Sequence, residues 1–256
     1  MRFLRYHTKS EPAAYGWLLE DQVGPVEGDP YGEFRRLEAN QPLESVKLLA
    51  PVQPGKIVCI GRNYAAHAKE HNAPVPEVPL IFLKPPSAVI GPGDKIILPP
   101  QSEQVEHEAE LVVVIGKVGR WIAPGEALDY VLGYTIGNDV TARDLQYRDG
   151  QWTRAKGFDT FCPLGPWVET EFDPADAVIT CHVNGEMRQM ASTRDMIFNV
   201  RQLIAYISSV MTLNPGDIIM TGTPAGVGPL APGDVVEVSI EGLGTLRNMA
   251  SVAPNQ

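Results

Sequence analysis

A proline–glycine turn followed by an apolar run occurs four times in this chain and constrains its fold more than any other feature. Proline presets the first central position of a tight turn and glycine tolerates positive φ at the second, so each phrase predicts a turn that leads into a strand. A strong signal for a two-residue β-hairpin adds to them. With only two predicted helices, these features predict an α+β protein that is mostly β. The four turns begin at Pro54, Pro92, Pro215 and Pro232, and the hairpin signal is Asn184-Gly185.

Two segments of the sequence are predicted to be helical. The shorter one runs from Tyr64 to Glu70. The longer one follows Ser192 and Thr193, where apolar residues recur at helical spacing: Met196, Ile197, Val200, Leu203, Ile204, Ile207 and Met211.

The first fifty residues differ in texture from the rest of the chain. Up to Leu49 they read as short strand-like pieces broken by turns, and Pro51 and Pro54 mark the change. We therefore predict a small β-rich N-terminal domain at residues 1–50 and a larger domain at residues 51–256.

The charge balance and the cysteines limit the classes of function. The chain has 31 acidic and 21 basic residues, a net charge of −10, whereas nucleic-acid and anionic-membrane binders need a basic surface, so we expect neither partner. Cys59, Cys162 and Cys181 form no metal-type spacing and no even disulfide framework. With no signal-peptide core and no apolar run of membrane-spanning length, we expect buried free thiols and a cytoplasmic location.

The stretch EHEAELVVVIGKV places carboxylates at the start of a strand that is otherwise apolar. In a strand Glu108 and Glu110 would point to one face, and Asp139 ends another strand-like run. Three carboxylates without a cysteine suit a hard divalent cation such as Mg²⁺ or Mn²⁺. The alternative is that these acids are solvated at a strand edge, although the following LVVVIG favours a strand that runs inward. We expect Glu106 and His107 only to flank the site.

The segment GRNYAAHAKEH offers groups for proton transfer and for binding an acid. His67 and Glu70 are three residues apart, so a helix would present them on one face, where the glutamate could orient the imidazole and help it to activate water. The alternative is a weak ion pair on a surface helix. Arg62 could bind a substrate carboxylate or simply be solvated, and we expect His71 to be peripheral.

Two further loops carry candidate residues. Lys156 lies in an aromatic and glycine-rich loop, where it could stabilise an enolate or oxyanion or could be an ordinary surface lysine. The stretch TGTPAGVG from Thr221 to Gly228 lacks the lysine and serine or threonine that end a Walker motif. We expect a tight loop that offers hydroxyl and backbone N–H groups to a small acid. Gln146 is uninformative by itself.

In their order along the chain, these phrases resemble the fumarylacetoacetate hydrolase family. The resemblance covers about residues 55–248. The first fifty residues are similar to the small N-terminal domain of a bacterial branch whose enzymes are labelled 2-hydroxyhepta-2,4-diene-1,7-dioate isomerase. Fumarylacetoacetase itself differs, because it has a longer N-terminal domain and an additional acidic metal ligand upstream. The matching phrases are IVCIGRNYAAHAKE, PLIFLKPPSAV, HEAELVVVIG, NDVTARDLQ, KGFDTFCPLGP and STRDMIFNVRQLIAYIS running into MTLNPGDIIMTGTPAGVG.

The resemblance implies a β-roll, a homodimer, and roles for particular residues. It implies that Mg²⁺ or Mn²⁺ is held by Glu108, Glu110 and Asp139. It makes His67 and Glu70 a catalytic pair, in a segment that orders as a lid over substrate in relatives. The remaining implied roles are enolate stabilisation by Lys156 and substrate contact by Gln146 and Thr223.

The resulting hypothesis is a divalent-metal-dependent enzyme that acts on small anionic 2-oxo or 1,3-dioxo carboxylates through a metal-bound enolate. The resemblance to the bacterial isomerase branch favours an isomerase or tautomerase that acts on dicarboxylates, as in aromatic catabolism. The His67–Glu70 pair leaves a C–C bond hydrolase of the acylpyruvase or fumarylpyruvate hydrolase type open, and an oxaloacetate-type decarboxylase is a further alternative. A hypothesis of a different class is a non-catalytic β-module with a structural metal. Lys156 and His67 favour the enzyme, because a structural metal needs neither.

Overall fold

The computed structural model describes residues 1–8 and 12–253 of the chain. These residues form 21 β-strands and four α-helices, so the prediction of a mostly β member of the α+β class is confirmed. The strands are β1 Arg2–His7, β2 Ala14–Leu19, β3 Gln22–Gly28, β4 Phe34–Arg36, β5 Gln41–Pro42, β6 Lys47–Leu49, β7 Ile57–Gly61, β8 Leu80–Lys84, β9 Val89–Ile90, β10 Lys95–Leu98, β11 Val105–His107, β12 Ala109–Ile115, β13 Val131–Asn138, β14 Thr141–Ala142, β15 Cys162–Glu169, β16 Val178–Val183, β17 Glu186–Ser192, β18 Ile218–Met220, β19 Gly228–Pro229, β20 Val235–Ile240 and β21 Gly244–Val252. The helices are α1 Ala65–Glu70, α2 Arg143–Asp149, α3 Thr153–Lys156 and α4 Val200–Val210.

The strands form three sheets. The largest has the order β4-β3-β2-β1-β15-β13-β12-β18-β7-β8, with β5, β6 and β9 attached beside β3, β1 and β15. The second has the order β10-β21-β20-β16-β17, and the third has the order β14-β11-β19. Because β1 pairs with β15, the N-terminal strands continue the sheet that contains β12 and β13. The division into domains at residues 50 and 51 stays a prediction.

The turn signals of the sequence lead into strands as predicted. The four proline–glycine turns precede β7, β10, β18 and β20. Asn184 and Gly185 connect β16 to β17, and Val183 lies opposite Glu186 across the hairpin. Both residues of this turn have positive φ, which is the backbone conformation that favours Asn-Gly.

The longest helix begins later than the apolar spacing predicts. A short 3-10 helix occupies Thr193–Asp195, and Met196 then forms an isolated β-bridge with Tyr64. The helix α4 starts only at Val200, with the side chain of Asn199 as its N-cap. The predicted start of the helix was wrong. Met196 is apolar because it is buried where it pairs with Tyr64, and its position in the sequence happens to match the helical spacing of the residues that follow.

Two helices were missed by the sequence analysis, and both carry residues of the site. The seven residues of α2 are mostly polar, and α3 is a single turn. Neither is long enough to show a repeating apolar face, which is the signal that predicts a helix.

The strand β12 is buried on both of its faces. Leu111, Val113 and Ile115 pack into one apolar cluster, whereas Val112 and Val114 pack into another. The inward course predicted from LVVVIG is therefore confirmed, and it brings the acidic start of the strand into the interior. Within the described residues, no helix is long and apolar enough to cross a membrane.

Candidate active site

Three carboxylates meet where β12 begins and β13 ends. Glu110 is the second residue of β12, and Asp139 follows β13. Glu108 lies in the break between β11 and β12, where its carbonyl accepts a hydrogen bond of 2.9 Å from the Asp139 N–H. All three side chains are buried, and one ligand oxygen of each lies within 4.8 Å of the other two. The alternative of solvated acids at a strand edge is therefore wrong.

Three buried cations surround two of these carboxylates. Lys156 Nζ donates to Glu108 Oε2 at 2.9 Å and to Asp139 Oδ2 at 2.6 Å. Lys84 Nζ donates to Asp139 Oδ1 at 2.6 Å, and Arg143 Nη2 donates to Glu108 Oε1. Lys156 is only 2 % exposed, so the alternative of an ordinary surface lysine is wrong. It ends α3 and joins two carboxylates.

Glu106 is part of the same buried network. Its Oε2 accepts a hydrogen bond of 2.7 Å from Arg143 Nε, and its side chain is almost fully buried. The expectation that it only flanks the site was wrong, because Arg143 links it directly to Glu108.

The charges in this network do not balance. Glu106, Glu108, Glu110 and Asp139 face three cations, and no Lys or Arg among the described residues forms an ion pair with Glu110. Instead, Glu110 Oε2 accepts a hydrogen bond of 2.9 Å from the N–H of Gly222. A buried carboxylate without a cation is unfavourable, so a further positive charge would stabilise the cluster. Because all the ligand atoms are oxygens, the residues fit a hard divalent cation.

The pKa values of the cluster follow from this arrangement. Burial alone would raise the pKa of Glu108, but Lys156 and Arg143 outweigh it and hold that pKa well below its usual range. Burial raises the pKa of Glu110 well above its usual range, and the charges of Asp139 and Glu108 add to the effect. Burial would lower the pKa of Lys156, but Asp139 and Glu108 outweigh it and raise that pKa. Lys156 thus stays charged, whereas the raised pKa of Glu110 means that this carboxylate favours a proton or a bound cation.

The helix α1 brings His67 and Glu70 to the other side of the site. His67 is 6 % exposed and its Nδ1 lies 3.4 Å from Glu70 Oε2, so the two residues do pair, but the imidazole is buried and only Glu70 lies at the surface. Glu70 is held from the opposite side by the N–H of Gly226, 3.1 Å from Oε1. Burial lowers the pKa of His67, which favours the neutral imidazole that a base requires.

The predicted site residues line a single small cavity of about 60 Å³. Glu70 does not line the cavity itself, but it contacts His67, which does. His71, expected to be peripheral, also lines the cavity, as do Arg143, Tyr147 and Trp152. The predicted residues on its wall are Arg62, His67, Glu108, Glu110, Asp139, Gln146, Lys156 and Thr223.

The loop from Thr221 to Gly228 holds the acids of the site. Its predicted irregular course is confirmed, but the N–H groups of Gly222 and Gly226 donate to Glu110 and Glu70. Both glycines have positive φ, and a Cβ at Gly222 would lie 2.7 Å from the Cβ of Asn63. The loop was expected to offer its N–H groups to a small acid. This expectation is wrong for Gly222 and Gly226, because their N–H groups already donate to the protein's own carboxylates.

A buried glutamine on β17 positions the threonine of the same loop. Gln189 is 1 % exposed, and its Nε2 donates to Thr223 Oγ1 and to the carbonyl of Pro224, both at 2.8 Å. Its Oε1 accepts from the N–H of Ala109 and lies 3.0 Å from Nδ1 of His107, which is buried and not a mere flanking residue. Because the Thr223 oxygen accepts from Gln189, its own hydrogen is available to a substrate.

Arg62 and Gln146 also lie at the wall of the cavity. Arg62 has a left-handed φ of 57° at the turn before α1, and its guanidinium lies 5.9 Å from the ring centre of Trp152. Within the described part of the chain, no acidic side chain forms an ion pair with Arg62. Gln146 Oε1 accepts a hydrogen bond from Arg143 Nη1, so α2 presents the two residues as one unit.

Sequence reasoning missed Lys84 and Arg143, although weak signals exist for both. Lys84 ends the apolar strand LIFLK and directly precedes two prolines, and Arg143 follows Asp139 by four residues. A group of buried carboxylates requires cations nearby. A basic residue at the end of a buried strand is therefore a candidate to supply one.

Comparison with known proteins gives the class to which this fold and site belong. Residues 56–251 match the family described as "Fumarylacetoacetate (FAA) hydrolase C-terminal", and residues 1–51 match the one described as "Rv2993c-like, N-terminal". The chain belongs to the fumarylacetoacetate hydrolase family, as its motifs predicted.

Individual relatives carry different activities. The chain is 50 % identical over 220 residues to the mitochondrial oxaloacetate tautomerase FAHD2B of Bos taurus, covering 81 % of this chain and 70 % of that protein. It is similar to the crystal structure of 2-hydroxyhepta-2,4-diene-1,7-dioate isomerase from Mycobacterium marinum, with 44 % identity, a TM-score of 0.91 and full coverage of both chains. Maleylpyruvate hydrolase from Sphingobium sp. SYK-6, in complex with manganese(II) and pyruvate, is 33 % identical with a TM-score of 0.81, covering 99 % of this chain and all of that one. The family thus includes tautomerases, isomerases and hydrolases, and one homologue binds Mn²⁺.

Proposed function

We propose that this protein catalyses the tautomerisation or isomerisation of small 2-oxo dicarboxylates, with Mg²⁺ or Mn²⁺ held by Glu108, Glu110 and Asp139. One observation carries the proposal: a buried imidazole, His67, and a buried ammonium, Lys156, line the same small cavity as the carboxylate cluster. The relatives support a proton shift, since the tautomerase and the isomerase are 50 % and 44 % identical and the hydrolase is 33 % identical.

The carboxylate cluster accounts for the need for a metal and for an anionic substrate. When bound, a divalent cation would supply Lewis-acid stabilisation of negative charge on a substrate oxygen. Without it, four buried carboxylates face three buried cations. The two added charges would make the cluster net positive, which favours a bound carboxylate or enolate over a neutral molecule.

His67 is the base of the proposed reaction. If its Nδ1–H donates to Glu70, Nε2 keeps the lone pair that accepts a proton. His67 takes a proton from the carbon next to the 2-oxo group, and the electron pair of that C–H bond becomes the enolate. The imidazolium then returns the proton to the enolate oxygen in a tautomerase, or to a more distant carbon in an isomerase, so no water is consumed.

Lys156 supplies a fixed positive charge to the enolate. It donates to Glu108 and Asp139, which uses two of the three N–H groups of an ammonium, and the third remains for a substrate oxygen. Because the ammonium is held by two carboxylates before substrate arrives, little reorganisation is needed when the negative charge develops.

Arg62 is the proposed partner of the second carboxylate of a dicarboxylate. The two other cations that line the cavity, Arg143 and Lys156, are already paired with acids. A guanidinium without an acidic partner at the wall of a small cavity is suited to bind a carboxylate in bidentate fashion. Thr223 and Gln146 complete the proposed substrate contacts.

A second candidate function is hydrolysis of a C–C bond in an acylpyruvate. The pairing of His67 with Glu70 favours it, because an oriented imidazole can also remove a proton from water. Attack of that water on the distal carbonyl would release the same enolate as a leaving group. Decarboxylation of oxaloacetate would also give an enolate, with carbon dioxide leaving in place of a proton.

A substrate panel separates these reactions. Oxaloacetate, a muconate-type dioate and an acylpyruvate are each incubated with Mg²⁺, Mn²⁺ or a chelator, while enol absorbance and product identity are followed together. We expect metal-dependent interconversion of enol and keto forms with neither cleavage nor carbon dioxide. Cleaved acylpyruvate would establish the hydrolase instead. Failure of the metal-loaded protein to convert or bind any 2-oxo acid would leave only a structural role for the metal.

His67→Ala tests the base directly. We expect kcat to fall by about 100-fold or more, as for loss of a general base, while metal-induced thermal stabilisation survives. His182→Ala, a change of the same residue type on β16, is the matched control and should retain wild-type turnover. Wild-type turnover in His67→Ala would remove this residue from the mechanism.

We further propose that the protein works as a homodimer in the cytoplasm. The family resemblance supports the dimer, and Cys59, Cys162 and Cys181, all buried and unpaired, suit a reducing compartment. Light scattering coupled to size-exclusion chromatography tests the dimer: a mass of one chain at micromolar concentration would contradict it.

A further inference from the structure

The helix α1 and its C-cap residue His71 carry a second group of potential metal ligands, which differs in chemistry from the carboxylate cluster. Its sequence His67-Ala68-Lys69-Glu70-His71 repeats ligand-type side chains at the first, fourth and fifth positions. Glu70 and His71 follow His67 by three and four residues, the spacing that brings each of them close to His67 on a helical turn, and His71 is the C-cap residue of α1. Two histidines four residues apart on a helix can bind one zinc ion together.

The three ligand-type side chains lie close enough to act together. One potential ligand atom from each of His67, Glu70 and His71 lies within 4.8 Å of the other two. The two imidazole rings meet edge to face, with their centres 4.6 Å apart. Zinc ligands lie about 2.0–2.2 Å from the metal, so atoms at these separations need to come only somewhat closer to share one ion.

An unpartnered nitrogen at this group indicates a missing ligand. Nδ1 of His71 lies 2.9 Å from the hydroxyl of Tyr147, but its Nε2 is buried and has no hydrogen-bond partner among the described residues. Buried polar atoms in native proteins are nearly always satisfied, and one that is not calls for an ion, a water or a ligand. His71 lines the cavity, so such a ligand can reach it from there.

The donor set selects a different metal from the one that suits the carboxylates. Imidazole nitrogen is a ligand of Zn²⁺ and its neighbours in the transition series, whereas Mg²⁺ prefers oxygen. Two imidazoles and one carboxylate form the three-ligand set of many zinc sites, with a fourth position left for water.

We infer that His67, Glu70 and His71 form a second, zinc-selective metal site, and that zinc bound there inhibits the enzyme. The bond from His67 to zinc uses the lone pair that the proton transfer requires, and Glu70 is drawn into the same coordination. The proposed binding rests only on the geometry of these three side chains. Inhibition, in contrast, rests on the proposed function.

Binding is tested without any assay of turnover. Because zinc would also bind the carboxylate cluster, the background variant is Glu110→Gln, which weakens that cluster as a metal site. Zn²⁺ is titrated into the chelator-treated protein by calorimetry, and Co²⁺ is used as an optical probe of nitrogen coordination. We expect one zinc per chain in Glu110→Gln.

Adding His71→Ala to that background should weaken zinc binding by at least about tenfold, since even loss of an outer-shell partner costs that much. The cobalt absorption should weaken with it. Adding His182→Ala instead is the matched control and should leave both unchanged. Equal zinc affinity with and without His71 would overturn the site, and so would the absence of any zinc binding in Glu110→Gln.

Inhibition is tested with Mg²⁺-supplied turnover. Micromolar Zn²⁺ should inhibit the wild type reversibly, with recovery on adding a chelator. The zinc concentration for half inhibition, measured against each variant's own uninhibited rate, should rise at least about tenfold in His71→Ala. Turnover that persists with the α1 site filled would overturn the inhibitory role. A protein without turnover would instead refute the proposed function, and the binding experiment would still decide the site.

Discussion

The carboxylate cluster and the histidines of α1 line one cavity, but the fold holds them in different ways. The cluster is fixed by three buried cations that come from β8, α2 and α3, and each cation also donates to a second partner. In contrast, α1 is six residues long with no side-chain N-cap, and its proposed catalytic pair, His67 and Glu70, meets at 3.4 Å. A helix this short depends on its tertiary contacts for stability.

This difference matches the two chemical roles that the proposed reaction gives to the two regions. Charges that stabilise an enolate act best when they are fixed in advance, in a site from which water is excluded. A base must instead receive and return a proton within each turnover, which an adjustable side chain can do. We therefore expect substitutions in the cluster to act on stability and metal binding as well as on the rate. Substitutions on α1 should act on rate and on its pH dependence.

The largest expected effect is from Lys156→Met in the cluster. The variant leaves Glu108 and Asp139 with one cation fewer in a buried environment, while methionine keeps most of the side-chain length. Breaking a buried ion pair by removing one partner lowers the free energy of unfolding by about 3–5 kcal/mol. Denaturant unfolding in the presence of a chelator measures this. Lys95→Met, at an exposed position, is the control. If Lys156→Met lost no more stability than this control, Lys84 and Arg143 would be enough to stabilise the buried carboxylates.

Glu110→Gln should raise the free energy of unfolding when no metal is bound, whereas Lys156→Met lowers it. The pKa of Glu110 is raised in the folded protein, so above the ordinary carboxyl pKa the folded state binds more protons than the unfolded state. The metal-free wild type should therefore lose stability as pH rises, by at most about 1.4 kcal/mol per pH unit from this group. Glutamine removes that loss.

The same variant should also abolish stabilisation by Mn²⁺, because the carboxylate is a proposed ligand. Thermal unfolding between pH 5 and 8, with chelator or with Mn²⁺, measures both effects, and Glu241→Gln is the exposed control. Equal stabilisation of wild type and variant by Mn²⁺ would remove Glu110 from the ligand set.

Much of the cluster could be predicted from local patterns, whereas its partners could not. Glu108 and Glu110 stand out because they interrupt an apolar strand, and Asp139 because it ends one. Lys84 lies 55 residues before Asp139, and their contact depends on the order of the strands in the largest sheet, which no local pattern specifies. Arg143 was missed because α2 is too short and too polar to show a helical period.

The α1 region shows the reverse pattern. The spacing of His67 and Glu70 predicted their pairing, but sequence spacing could not reveal which face of α1 is buried. His71 was therefore expected to be peripheral. Gln189 was missed because its role depends on the hairpin of β16 and β17 placing it under the loop of Thr223.

Gln189→Ala tests whether the loop that joins the two regions must be positioned. The variant removes the hydrogen bonds to Thr223 and Pro224, so the threonine hydroxyl is no longer held for substrate. Loss of one such bond is worth about 1 kcal/mol, and we expect a fall in kcat/KM of roughly five- to tenfold, mainly through KM. Steady-state kinetics on the substrate identified by the panel measures how the loss divides between kcat and KM.

The control for Gln189 is Cys181→Ala, which disturbs the buried neighbourhood of His107 without a contact to Thr223. It should leave KM unchanged. An equal rise of KM in both variants would mean that loosened packing, and not the lost bond to Thr223, is responsible.

The smallest expected effect is from Glu70→Gln on α1, and it appears most clearly in the pH profile. Burial lowers the pKa of His67 and the bond to Glu70 partly opposes this, so removing the carboxylate charge should lower that pKa further. The base is active when neutral, and its activity therefore rises with pH through its pKa. The acidic limb of kcat/KM should accordingly move to lower pH, while the plateau falls by roughly three- to tenfold as the imidazole loses an orienting partner.

Glu77→Gln, an exposed change between α1 and β8, should leave the profile in place. A limb that moves to higher pH would mean that Glu70 does not act through the charge of His67, and the contrast between a fixed cluster and an adjustable base would lose its main support.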